Sequence, residues 1–195
     1  MSYSNLEALR DYLSPSNALG SYNDGLLQDS LDEATSAIND YTRRNFAGTA
    51  GTIYVNRYSQ RFVVNQALYL ENDLHTLTSL TNGDSQNIPV GSVWLEPRNA
   101  GPPYRLLRLH SAYVYVWNTD SDVIVAGTWG FSTVPPAAIS RACVELGAYF
   151  YRLKDTMPDS TAGLSAAGEV VYPKSMPDWV KQKLEPYKSR SGGIV

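Results

Sequence analysis

Leu27, Leu31, Ala34, Ile38 and Tyr41 recur at spacings of four, three, four and three. That is one apolar stripe along about four turns of helix, and it predicts a helix over 24–46. Asn23 or Asp24 can cap its N-terminus, acids (Asp29, Asp32, Glu33) fill its first half, and Arg43 and Arg44 close its last turn. Charge order and helix dipole therefore agree. Ile139, Cys143, Leu146, Phe150 and Leu153 repeat the same spacing behind Val134-Pro135-Pro136, which predicts a second long helix over 136–154. Leu6, Leu9 and Leu13 predict a shorter helix over 5–14, stopped by Pro15. The two matching stripes are expected to pack on each other.

Between those stripes the period changes to two. Ile53 and Val55 alternate with Tyr54 and Asn56; Phe62-Val63-Val64, Leu68-Tyr69-Leu70 and residues 77–80 follow, and Asn82-Gly83 is a hairpin-turn signal. Val93-Trp94-Leu95, then 104–109, 113–117 and 122–128 continue the series. Short strands with turns at this spacing predict an antiparallel β region, of sandwich or barrel type, over about 51–128. Gly127-Thr128-Trp129-Gly130 reads as a sharp strand-to-helix corner plugged by the indole. It lacks the spacing and the Lys-Ser/Thr pair of a phosphate loop.

Past residue 155 the composition turns to Ser, Thr, Ala and Gly, a flexible linker over 156–172. Residues 173–195 carry a short helix around Trp179 and a loose end. The expected fold class is α+β. Two N-terminal helices pack with the long helix near 136–154 in one domain over 1–155, with the β region inserted and an extended C-terminal tail.

Charge sharpens this picture. Residues 1–42 hold seven acids and one base, 43–172 balance ten against ten, and 173–195 hold five bases and two acids. Helix faces and tails are commonly charged for solubility; attraction between opposite ends of neighbouring subunits is the sharper reading. No clustered basic face with interleaved aromatics points to specific DNA binding. No apolar run is long enough for a membrane span, and the first residues lack signal-peptide regions.

One Cys and two His leave little for metal or histidine chemistry. His75 and His110 fit solvated loop positions, and Cys143 sits on a helical stripe as a small hydrophobe. Asp120-Ser121-Asp122 lacks the remaining ligands of a calcium loop and reads as a polar turn. No catalytic constellation, metal site or cofactor site is expected, so the chain is expected not to be an enzyme.

Two aromatic groups stand out, and tyrosine outnumbers phenylalanine 14 to 4. In Tyr113-Val114-Tyr115-Val116-Trp117, period two places Tyr113, Tyr115 and Trp117 on one face. With the valines in the core, the three rings would face a covering loop, a subunit or partner interface, or a bound glycan. In the C-terminal segment, Met176, Trp179, Val180, Leu184 and Tyr187 either fold back on their own domain or form an arm for a partner.

The arrangement resembles the head-tail connector (adaptor, or head-completion) proteins of tailed bacteriophages. The residues that carry the resemblance are Ile38-Asn39-Asp40-Tyr41-Thr42-Arg43-Arg44-Asn45-Phe46, and Leu68-Tyr69-Leu70-Glu71-Asn72-Asp73-Leu74 running to Leu77-Thr78-Ser79-Leu80. Val123-Ile124-Val125-Ala126-Gly127-Thr128-Trp129-Gly130, leading to Val134-Pro135 and the helix after it, completes the set. The resemblance implies a non-enzymatic virion protein, made in the host cytoplasm, that forms a ring at the head-tail junction, commonly of twelve subunits. Its implied partners are the portal protein and a stopper or tail-completion protein, with DNA passing through the channel without specific binding. It also implies a portal-docking C-terminal segment, here Met176, Trp179, Leu184, Tyr187 and Ile194. The alternative is a tail-associated β module that binds host glycans through Tyr113, Tyr115 and Trp117.

Overall fold

The computed structural model describes residues 2–14, 23–55, 63–64, 67–112, 114–118, 121–156, 163–164, 170–171 and 176–189. It is an α+β fold whose chain divides into a helical unit, 1–43 with 136–195, and a sheet unit, 44–135.

In the helical unit, α1 (Leu6–Leu13) starts where the Asn5 side chain accepts a hydrogen bond from the Ala8 amide. Helix α2 (Asp24–Thr42) starts at Asn23, whose side chain accepts from the Gly25 and Leu26 amides. Leu27, Leu31, Ala34 and Ile38 are fully buried, as the stripe requires. The helix ends four residues before the sequence-based expectation, because Arg43 takes a left-handed conformation (φ 53°, ψ 41°) that closes it. Helix α3 (Ala137–Thr156) buries Ile139, Cys143 and Leu146 and packs on α2. Gly147 makes the approach close: a Cβ there would stand 3.3 Å from Leu31 Cδ2.

Helix α4 (Asp178–Leu184) and a 3-10 turn (Glu185–Tyr187) also belong to this unit and pack on α3 and α2. Met176, Val180 and Leu184 are buried there, so this part of the segment is seated, not extended. Within the stretch expected as a linker, Gly163–Leu164 pairs antiparallel with Val170–Val171.

The sheet unit is a six-stranded antiparallel sheet rather than a sandwich. Its strands are β1 (Thr49–Val55), β2 (Val63–Val64), β3 (Ala67–Thr81), β4 (Val93–Glu96), β5 (Tyr104–Leu109) and β6 (Val123–Trp129). They lie in the order β1-β6-β3-β5-β4, with β2 beside β3. The two expected strands 68–70 and 77–80 are one 15-residue strand, β3. Its first half pairs with β5 and its second with β6, with register shifts between Leu74 and Thr76 and between Leu77 and Ser79. Each shift lets an extra residue pass without changing face. That is how Leu74, Leu77 and Leu80, three apart, all reach the same core. Gly127 on β6 lies under this irregular stretch, where a Cβ would fall 2.1 Å from the Thr76 carbonyl oxygen.

Candidate interaction surfaces

The sheet unit reverses the expected facing of the Val114–Trp117 stretch. Trp117 is 8% exposed and belongs to the core, and Tyr115 packs against that core. Val114 is 100% exposed and Val116 72% exposed. Tyr113 lies outside the described residues. The alternation is real but its phase is opposite, with the rings toward the core and the valines toward solvent. The Asn82 side chain fixes that phase: its Nδ2 donates to the Val116 carbonyl oxygen and its Oδ1 accepts from the Asn118 amide, both at 2.9 Å. Gly83 beside it leaves room for the passing chain, since a Cβ would stand 2.4 Å from the Asn118 carbonyl oxygen. A flat glycan platform of three outward rings is therefore not what this stretch presents.

The C-terminal candidates divide the same way. Met176 and Leu184 are buried in the helical unit, so they hold the segment to its own chain, and Tyr187 is half-buried. Trp179 is 44% exposed, with the Lys183 ammonium 5.2 Å from its ring centre. Ile194 lies outside the described residues. Polar contacts add to the seating. The Tyr41 hydroxyl donates to Glu185 Oε2 at 2.7 Å, the Ser189 amide donates to the Thr42 carbonyl, and Lys183 pairs with the buried Glu145. The hydrogen bond to Glu185, aided by partial desolvation and its negative charge, raises the Tyr41 phenol above its ordinary pKa. Sequence reasoning missed this role for Tyr41; its place at the edge of the α2 stripe was the available signal.

Cys143, His110 and Asp73 each have partners within their own unit, and His75, expected in a solvated loop, lies inside β3. Cys143 is fully buried with Sγ 3.5 Å from Thr35 Oγ1, and burial pushes its thiol pKa up, away from a reactive thiolate. His110 Nδ1 accepts from the Ala112 amide while its ring meets Trp94 edge-on, centroids 4.4 Å apart. Asp73 joins Arg105 (2.6 Å) and Arg44 (3.2 Å) inside the sheet unit. Burial lowers the Arg44 guanidinium pKa, and Asp73 opposes that shift. Among the described residues no three His, Cys, Asp or Glu side chains gather to hold a metal ion. Among the described residues, the large apolar side chains left exposed are Leu26 and Trp179 in the helical unit and Tyr54, Val90, Val114, Val116 and Val134 in the sheet unit.

No protein-family model matches the chain, and no curated protein matches it. Solved structures do. A chain of the neck of an empty gene transfer agent (GTA) particle, computed with C6 symmetry, superposes with a TM-score of 0.62 at 21% identity. The match covers 96% of this chain and 90% of that one. A chain of the native GTA virion (TM-score 0.61, 19% identity) and one of the native GTA neck computed with C12 symmetry (0.60, 18%) have the same coverage. Both units are spanned by these matches, and this chain has the fold of a protein from the neck of phage-like particles, in line with its resemblance to head-tail connectors.

Proposed function

We propose that this chain is a structural protein of a virion neck. It acts as an adaptor that forms a homo-oligomeric ring between the portal and the tail, around the channel through which the genome passes. The carrying observation is the near end-to-end match to GTA neck chains, 96% of this chain and 90% of the other. A fold match that leaves so little of either chain over supports a shared role better than a shared module would. The C6 and C12 symmetries of the matched necks support a ring, with twelve subunits as the reading that satisfies both.

The partners follow from that place. The portal lies on one side and a stopper or tail-completion protein on the other, with Trp179 the anchor the helical unit leaves available for docking. Seven acids against one base over residues 1–42 suit a wall that DNA passes without being gripped. The work is contact and sealing, not catalysis.

The test is made on particles. Mass spectrometry and single-particle imaging of the purified particle should find this chain as a ring at the neck, and deleting its gene should leave filled heads without tails. Particles that lack the chain, or tails that join normally without it, would overturn the reading.

A further inference from the structure

The strands at the two ends of the β1-β6-β3-β5-β4 row are guarded very differently. Strand β4 is four residues long, ends on Glu96 before Pro97, and carries the Arg98 guanidinium 3.3 Å over the Trp94 ring. Charge, proline and shortness are the usual means of stopping an edge from pairing with a stranger. Strand β1 has none of them. Its seven residues, Thr49-Ala50-Gly51-Thr52-Ile53-Tyr54-Val55, hold no charge and no proline, and each pairs with β6 in one unbroken register. Ala50, Thr52 and Tyr54 line its exposed face, with Tyr54 63% exposed. Behind them on β6, the half-buried Ile124, Ala126 and Thr128 continue the uncharged surface.

The same unit carries an element shaped to meet such an edge. From Val114 to Trp117 the side chains alternate out, in, out, in, with the period of a strand, yet the segment lies in no ladder among the described residues. Its inward members are set in the core and Asn82 holds its backbone at Val116 and Asn118, so the two valines are presented from a fixed base. Spaced two residues apart, they stand about 6.6 Å from each other, the repeat of one face of a strand.

We infer that, in the assembled ring, the Val114–Asn118 segment of one copy docks along the exposed β1 edge of the next copy. Val114 and Val116 come to rest beside Thr52 and Tyr54. The inference rests on the ring reading above and names the contact that would build it. The occupant is a second copy because donor and acceptor are different surfaces of one compact unit. A contact of that kind repeats from copy to copy and closes into a ring, whereas a self-complementary patch stops at a dimer. β-branched residues beside threonine and tyrosine are favourable cross-strand neighbours, and neither surface brings a charge that would have to be desolvated.

The experiment uses the full chain carrying Thr52→Cys and Val116→Cys, assembled on its portal and oxidised. Cys143 is fully buried and can stay. The expected result is a disulfide ladder running beyond the dimer, absent from either single variant. Dimers from Thr52→Cys alone would show β1 pairing with itself and overturn the inference. A complete ring without cross-links would overturn it too, while leaving the ring reading intact. Failure of the unaltered chain to form a ring would overturn both. As an independent arm, Val114→Lys with Val116→Lys should leave the melting temperature of the free chain unchanged, since both side chains are exposed. Ring yield should fall at least tenfold; rings at the normal yield would overturn the inference.

Discussion

Arg105 Nε donates to Asp73 Oδ1 at 2.6 Å, inside a sheet where the Asp73 side chain is only 4% exposed. Asp73 lies where the β3–β5 register shifts between Tyr69 and Leu74, and Arg44 reaches its other oxygen at 3.2 Å. Asp73→Asn leaves two guanidiniums without their counter-charge, Arg44 in a largely buried place. Removing one partner of a buried ion pair costs about 3–5 kcal/mol, and part of Arg105 keeps access to water, so the expected loss lies at the lower end. Urea unfolding followed by tryptophan fluorescence measures it. A change within the error of the wild-type curve would show that the pairs contribute nothing.

Trp117 and Val114 give opposite expectations although they stand three residues apart. Trp117→Ala removes a core ring and should cost about 3–5 kcal/mol. Val114→Ser alters a fully exposed side chain and should change stability by no more than about 0.5 kcal/mol. Thermal melts of the two variants decide it, and equal losses would contradict the inward facing of Trp117 and the outward facing of Val114.

What the sequence made legible, and what it did not, follows from period. Helix α2 and α3 could be read because Leu27, Leu31, Ala34 and Ile38, and Ile139, Cys143 and Leu146, keep a helical spacing throughout. Strand β3 reads as two strands because its bulges place Leu74, Leu77 and Leu80 at intervals of three, which neither template fits. The end of α2 is not legible in the sequence because Arg43 adopts a left-handed turn without glycine. At residues 114–117 the period was visible and the phase was not: alternation cannot say which set faces inward, and Asn82, more than thirty residues away, decides it. Val180 and Leu184 show the same limit, since an apolar spacing of four does not say whether the surface it covers belongs to its own chain or to another.

The Tyr41–Glu185 hydrogen bond makes the seating of the C-terminal segment pH-dependent at the alkaline end. Tyr41 holds its proton more tightly when folded, so its contribution is fully present below the unfolded phenol pKa of about 10. It is lost as pH rises through the higher folded value. Amide exchange at Val180–Leu184 should therefore quicken, relative to the rest of the helical unit, above that unfolded value. Tyr41→Phe should raise exchange there at neutral pH and abolish the alkaline step; an alkaline step of the same size in that variant would assign it to another group.

Leu184 and Trp179 separate holding the segment from docking it. Deleting the whole segment would strip Met176, Val180 and Leu184 from the helical core, so lost portal association in a truncated chain would mix unfolding with lost contact. Point variants keep them apart. Leu184→Ala opens a cavity under a fully buried side chain and should cost about 2–5 kcal/mol. Trp179→Ala removes a half-exposed ring stacked only by Lys183 among the described residues, and should leave the melting temperature within about a degree or two, the scale of a 0.5 kcal/mol change. If the indole is the docking anchor, that same variant weakens portal association at least tenfold, as truncated aromatic hot spots do at about 2 kcal/mol or more. Co-sedimentation with purified portal reads the loss directly. Undiminished binding by Trp179→Ala, with Leu184→Ala destabilised as expected, would show that this helix serves its own fold and docks nothing.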